Sequence, residues 1–326
     1  MKTLLLTSQD LTKLMDEDDA FQVMQEVFRS QGEGRVQMPP KIYLDLKKYE
    51  GDFRAMPAYV ETPEACGLKW VNSHPNNILK GLFPAVMGIL ILSDPQTGFP
   101  LSILDGTLIT RLRTGASGSL ASFYLAKPDS KVLALVGCGV QAQAQFQAHL
   151  KHFQFLEVRV WAPEEHFTNS FKAKMASFHS NIIPCQRLED CVQSADILCT
   201  TTPSRTPLIR KDWLKRGVHI NAMGADAPGK QELETNILKE AFFVVDEIEQ
   251  SLHGGEANVP FREGILAQGD IDGTLGEIVC GKKWRQNQDE ITVFDSTGLA
   301  IQDVSLGFRA YQKALKRKMG QWIEFF

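Results

Sequence analysis

Five apolar residues, Val132–Val136, run straight into Gly137-Cys138-Gly139-Val140-Gln141-Ala142. No other segment constrains the fold as much. The spacing is G-x-G-x-x-[GA], placed after a strand-like run and before a helical one. Gly137 permits a tight turn, Gly139 lets backbone approach a pyrophosphate, and Ala142 is small enough for close helix–strand packing. The helix that follows offers free N–H groups and a partial positive charge to phosphate. The loop points to dinucleotide binding, with Gly137, Gly139, Val140, Gln141 and Ala142 as the cradle; a plain glycine turn is the alternative. The flanks favour the cradle. Strand-like runs at 132–136, 157–161, 182–185, 196–199, 219–222 and 241–245 alternate with helical stretches, and 291–295 adds a late strand. Such alternation predicts a parallel sheet with crossover helices.

In NAD-binding versions of this loop a carboxylate about 20 residues on, at the end of the second strand, takes the ribose hydroxyls. Here that strand ends Val160-Trp161-Ala162-Pro163-Glu164-Glu165. Ala162 stands where the acid is expected, and the two glutamates come slightly late. No Arg or Lys is adjacent to hold a 2′-phosphate, and two carboxylates would repel one. The sequence favours NAD, with NADP left open; the glutamate pair also reads as a solvated first helical turn.

Before residue 105 the pattern differs. Asp16 caps a helix carrying Phe21, Met24, Val27 and Phe28 at helical spacing, and Gly32 and Gly34 stop it. Short strand-like runs follow at 41–44, 55–60, 67–71, 86–92 and 100–104, the last after the turn Asp94-Pro95-Gln96-Thr97-Gly98. This predicts a small, largely antiparallel sheet. Residues 110–126 read as a helix broken by Lys127-Pro128, and 298–318 as a long terminal helix ending in basic residues. With 326 residues, two domains are expected. The 35 Lys and Arg against 39 Asp and Glu leave a net charge of −4 without a basic run, a poor basis for binding nucleic acid. No apolar stretch approaches the roughly 20 residues of a membrane helix, and the start has too short an apolar core for a signal peptide. The six cysteines show no C-x-x-C pair, which argues against zinc or a disulfide framework and for a reducing, cytoplasmic setting.

Several longer motifs occur in order. They are Met38-Pro39-Pro40-Lys41, Met56-Pro57-Ala58-Tyr59, Gly67-Leu68-Lys69-Trp70-Val71-Asn72, His74-Pro75-Asn76-Asn77 and Asp94-Pro95-Gln96-Thr97-Gly98-Phe99-Pro100. Arg113-Thr114-Gly115-Ala116, the glycine loop, Asn221-Ala222-Met223-Gly224-Ala225-Asp226 and Val293-Phe294-Asp295-Ser296-Thr297-Gly298 complete the set. Nearly end to end, the chain resembles the ornithine cyclodeaminase/μ-crystallin family, which includes archaeal-type alanine dehydrogenases and ketimine reductases. The resemblance implies an α/β fold. A Rossmann NAD(P)-binding domain, 121–299, would be inserted in a second α+β domain made of both chain ends, 1–120 and 300–326. That second domain would bind substrate and form a homodimer. The implied activity is NAD(P)-dependent oxidation or deamination at the Cα–N bond of a small amino or imino acid. Ornithine cyclodeamination and a non-catalytic, μ-crystallin-like dinucleotide carrier are the alternatives.

Hydride movement at an amino-acid α-carbon needs cations for the carboxylate, a proton-transfer group near the nitrogen, and a nicotinamide held at one face. Lys69 lies on an expected strand, and the family's lysine here contacts the substrate carboxylate; Lys69 is also a catalytic candidate. Arg113 precedes Gly115, Ala116, Ser117 and Gly118, which leave room for a guanidinium fork matching a carboxylate. Lys41 stands where many relatives carry a third cation, and Arg54 is a further carboxylate ligand. Cyclodeaminases of the family place an acid near Arg54; its absence disfavours ornithine. Asp226 follows a strand end, where doubly wound sheets bind ligands, and the family's aspartate here is the proposed acid/base. Thr200, Thr201, Thr202, Thr114, Met223, Gly224 and Ser296 are expected around the cofactor. His74 reads as shaping its loop.

Overall fold

The computed structural model describes residues 2–79, 81, 83–283, 285 and 287–325, with backbone alone at 78 and 79. The chain forms two compact units, Met1–Arg113 with Leu299–Phe326, and Thr114–Gly298. The break between Arg113 and Thr114 falls inside one helix, Gly106–Leu125.

The Thr114–Gly298 unit is a wholly parallel sheet. In spatial order its strands are Ile182–Pro184, Glu157–Trp161, Val132–Val136, Ile197–Thr200, His219–Ala222, Thr292–Asp295, Phe242–Val245 and Gly273–Thr274. Strand order switches direction between Val132–Val136 and Ile197–Thr200, one half of the sheet growing outward from each, so a crevice opens at the carboxyl ends of these two strands. Val132–Val136 is apolar along its whole length and feeds cores on both sides of the sheet, as a strand covered on both faces must. Ala134, Val136, Leu198, Ile220 and Val293 belong to one core, and Leu133, Leu135, Ala142, Phe146 and Val158 to another.

The other unit also holds eight strands, mostly antiparallel. They run Gln321–Ile323, Thr3–Leu6, Pro100–Asp105, Val86–Ser93, Ala65–Ser73, Gly51–Val60 and Val36–Gln37, with Ile42–Leu46 pairing on Gly51–Val60 as well. Alternation along Gly51–Val60 buries Arg54, Met56, Ala58 and Val60 on one face. The amphipathic helix Ala300–Arg317 lies on that face, and the helix Glu17–Gly32 packs against it. Close approach depends on Gly307, where a Cβ would sit 2.3 Å from a Leu90 methyl. The opposite face stays open: Ile42, Ala55, Trp70 and Ile89 stand in one cross-strand row.

Two strands at the chain ends escape the sequence reading. Thr3–Leu6 pairs parallel with Pro100–Asp105 and antiparallel with Gln321–Ile323. Both are short, and only tertiary pairing makes them strands. The helix expected from residue 110 begins at Gly106, because the Asp105 carboxylate accepts the N–H groups of Thr107 at 2.9 Å and Leu108 at 3.2 Å.

Candidate active site

The cations expected to hold a carboxylate meet in the first unit. Lys69 sits mid-strand, opposite Met56 and Leu90, on the face under the terminal helix. That helix supplies Asp303. Lys69 Nζ lies 2.6 Å from Asp303 Oδ2 and donates to Thr110 Oγ1 at 3.3 Å. Arg113 donates from Nε to Asp303 Oδ1 at 3.2 Å and from Nη1 to Gln302 Oε1 at 3.0 Å. Lys69 is 1% exposed and Arg113 7%. Two buried cations thus share one carboxylate, and a protonated Lys69 leaves the trio one positive charge in excess. Burial pushes the Lys69 ammonium down to about 7; Asp303 pulls it back up, and the charges of Arg113 and Lys41 depress it further. Lys41, just ahead of the strand Ile42–Leu46, acts on this cluster through its charge.

Arg54 shares that sheet face, two residues from Met56. It is buried and held by Asp52, with Nε to Oδ1 at 2.8 Å and Nη2 to Oδ2 at 3.1 Å, while its guanidinium carbon lies 5.3 Å from the centre of the Tyr43 ring. The expectation that Arg54 has no acid beside it is therefore corrected. Asp52 stands two residues before it, and side chains two apart on a strand share a face. Absence of an acid consequently carries no argument against ornithine. Both Asp52 oxygens are engaged by Arg54, however. His74 shapes its loop: Nδ1 is 2.9 Å from Asn72 Nδ2, and the ring meets Phe53 edge-on.

In the second unit the glycine loop has the form its sequence demands. Gly137 adopts φ +100°, and a Cβ there would come within 2.7 Å of Thr201 Oγ1. Gly139 is the N-cap of the helix Val140–His149, has open space where a Cβ would be, and leaves the helix without a side-chain cap. Exposed Val140 and buried Ala142 follow. Thr114 Oγ1 and Gln141 Oε1 are buried with no hydrogen-bond partner among the described residues. An uncapped helix start, an open glycine and two orphaned polar atoms fit an anionic dinucleotide. Past Trp161 the chain passes buried Ala162 to exposed Glu164, where the helix Glu165–Met175 starts.

The hydroxyls expected to wrap the cofactor are turned inward. Thr200 Oγ1 and Thr202 Oγ1 both donate to Glu232, and Thr201 Oγ1 to Val136 O at 3.4 Å. Ser296 Oγ donates to Asp246 at 3.2 Å. The N–H groups of Thr201, Thr202, Met223, Gly224 and Ser296 are likewise bonded to internal acceptors, so these segments form a fixed rim at the carboxyl edge of the sheet. Met223 and Gly224 follow the strand His219–Ala222, with Met223 N bonded to Thr200 O at 2.9 Å. Asp226 is half-buried and ion-paired to Lys230 Nζ at 2.5 Å. Asp303, Glu232 and Lys230 went unnoticed in the sequence. Asp303 carried one signal, an acid within the apolar stripe of the terminal helix, but in a first turn it also reads as a complement to the helix dipole. All six cysteines are free thiols, and the described residues hold no cluster that could bind a metal ion.

Relatives match the chain over its full length. The chain is 45% identical to an alanine dehydrogenase of Archaeoglobus fulgidus, over 100% of its own length and 99% of the relative's. Its structure superposes on an archaeal alanine dehydrogenase dimer with bound NAD at a TM-score of 0.95 and 45% identity, each chain covered in full. The Thermococcus litoralis Delta(1)-pyrroline-2-carboxylate reductase, in complex with NADH and L-proline, gives 0.95 at 34% identity, over 98% of this chain and 99% of that one. Residues 1–318 match the model of the Ornithine cyclodeaminase/mu-crystallin family, and the chain belongs to that family.

Proposed function

We propose that this protein is an NAD-dependent oxidoreductase acting at the Cα–N bond of a small amino or imino acid. The observation that carries the reading is the convergence of two buried cations, Lys69 and Arg113, on the single carboxylate of Asp303. A buried excess of positive charge is costly unless an anion completes it. The carboxylate of an amino or imino acid is such an anion, and Arg113 offers it a planar fork. Lys41 adds long-range attraction, and Arg54, fixed by Asp52, a further cation. The names of the Archaeoglobus and Thermococcus relatives support a small amino or imino acid in this role.

The second unit would hold the dinucleotide on the glycine loop, against the rim formed by residues 200–202, 223–224 and 296. When bound, the nicotinamide ring supplies the hydride acceptor or donor for the α-carbon. Asp226 is the proton-transfer group: in the oxidative direction its carboxylate takes a proton from the substrate ammonium or from the attacking water, and the ion pair with Lys230 holds it in place. Lys69, poised near neutrality, is the second group able to move a proton. NAD is preferred over NADP because Glu164 and Glu165 follow the second strand; a 2′-phosphate there would be repelled. By this reading the first unit both grips substrate and pairs with a second copy, and the enzyme works in the cytoplasm.

Nicotinamide absorbance, followed with a panel of small amino, 2-oxo and cyclic imino acids and with NAD and NADP in parallel, tests the proposal. Turnover of at least one such acid with NAD is expected; none across the panel overturns it. Asp226→Asn is expected to retain dinucleotide binding and to lose about 100-fold or more in kcat. Turnover within a few-fold of wild type would remove Asp226 from the mechanism.

A further inference from the structure

Glu232 is a fully buried carboxylate that the chemistry above does not use. Each of its oxygens takes two donors. Oε1 accepts Thr202 N at 2.6 Å and Thr202 Oγ1 at 2.7 Å. Oε2 accepts Thr200 Oγ1 at 2.7 Å and Gly224 N at 2.9 Å. The donors come from two different loops, one following the strand Ile197–Thr200 and the other following His219–Ala222. These loops bracket the carboxyl edge of the sheet, where an open α/β sheet receives its ligand. They touch so closely that a Cβ on Gly224 would fall 2.2 Å from Thr202 O and 2.6 Å from Glu232 Oε2.

Glu232 is itself held by acids. Glu256 Oε1 accepts the backbone N–H of Glu232 at 2.8 Å and of Leu233 at 2.6 Å. Asp295 Oδ2 in turn accepts Glu256 N at 2.9 Å. Buried carboxyls thus form a ladder, each fixing the backbone that bears the next, from Ser296's neighbour to the Thr200–Thr202 loop. Burial raises the Glu232 carboxyl, and its four donors draw it back down; Glu256 is raised further, by burial and by the charge of Glu232.

We infer that Glu232 is a positioning residue for the dinucleotide: by clasping Thr200, Thr202 and Gly224 with one carboxylate, it locks two segments that border the carboxyl edge of the sheet into one fixed rim for the cofactor. This rests on the dinucleotide reading above and adds the part that holds the binding edge in shape. No smaller group spans both loops. An amide in its place has one oxygen to accept and presents N–H to donors already facing it.

Titration of the full-length protein with NADH, read by nicotinamide fluorescence, tests the inference. Glu232→Gln is expected to keep its far-ultraviolet dichroism and to bind NADH about tenfold or more weakly, as losing a charged hydrogen-bonded clasp implies. Glu232→Asp, which keeps the charge but loses reach, is expected not to restore affinity. Thr200→Val removes a hydroxyl that donates to Glu232; weaker NADH binding in the wild-type background, with no added loss in Glu232→Gln, places both effects on one clasp. A folded Glu232→Gln binding NADH within about twofold of wild type, where wild type binds well, overturns this inference alone. Wild-type protein that binds no NADH overturns the cofactor reading and this inference together. If Glu232→Gln does not fold, unchanged NADH affinity in Thr200→Val is the overturning result.

Discussion

At the scale of single residues, the site turns on charge placed where water cannot reach. Lys69 carries its proton below about pH 7 and sheds it as pH rises through that value. The carboxylate grip is therefore expected to weaken above about 7, seen as a rising substrate KM. Lys69→Arg, which stays charged, is expected to lift that inflection; a KM flat with pH in wild type would contradict it. The sign for stability follows from the same shift. The folded value lies below the unfolded one, so the unfolded chain holds the extra proton between about 7 and the ordinary lysine value. The penalty is full below about 7 and fades as pH climbs through that window. Asp303→Asn leaves two buried cations without their shared anion. A loss of roughly 3 kcal/mol or more in unfolding free energy is expected in urea titrations, together with a higher substrate KM.

At the scale of elements, packing decides how near the charges come. The terminal helix brings Asp303 to Lys69 only because it lies close on the sheet, and Gly307 opposite Leu90 sets that distance. Leu90 is fully buried. Gly307→Ala is expected to cost about 1–3 kcal/mol, despite the better helix propensity of alanine. Thermal unfolding measures it, and an unchanged midpoint would show that the helix sits more loosely than described. Much at this scale was legible in the sequence. Seven of the eight parallel strands emerged within a residue, because buried strands are short apolar runs punctuated by helices; Gly273–Thr274, two residues without an apolar run, did not. Thr3–Leu6 and Gln321–Ile323 were not, since neither has a pattern of its own and each exists as the other's partner.

For the whole molecule, the open sheet face in the first unit is the outstanding surface. Ile42 is 66% exposed, Ile89 51% and Trp70 41%, and Trp70 stacks on Phe53 with centroids 5.2 Å apart. A contiguous apolar row on a folded chain marks an interface. Under the homodimer proposed above, Trp70→Lys is expected to convert the protein to monomers, measured by light scattering on a sizing column. A dimer that survives the change would place the interface elsewhere.

The glycine loop and the alternating parallel unit were readable from consecutive residues whose spacing has physical meaning, whereas Lys69 and Arg113 were singled out through resemblance to the family. Tertiary structure decided what those residues face. Asp303 reaches Arg113 from 190 positions along the chain, Asp52 occupies Arg54, and Glu232 draws the threonine hydroxyls away from the crevice. Partnerships between distant side chains leave no periodic trace, because only the fold brings their charges within a few ångströms and removes the water between them.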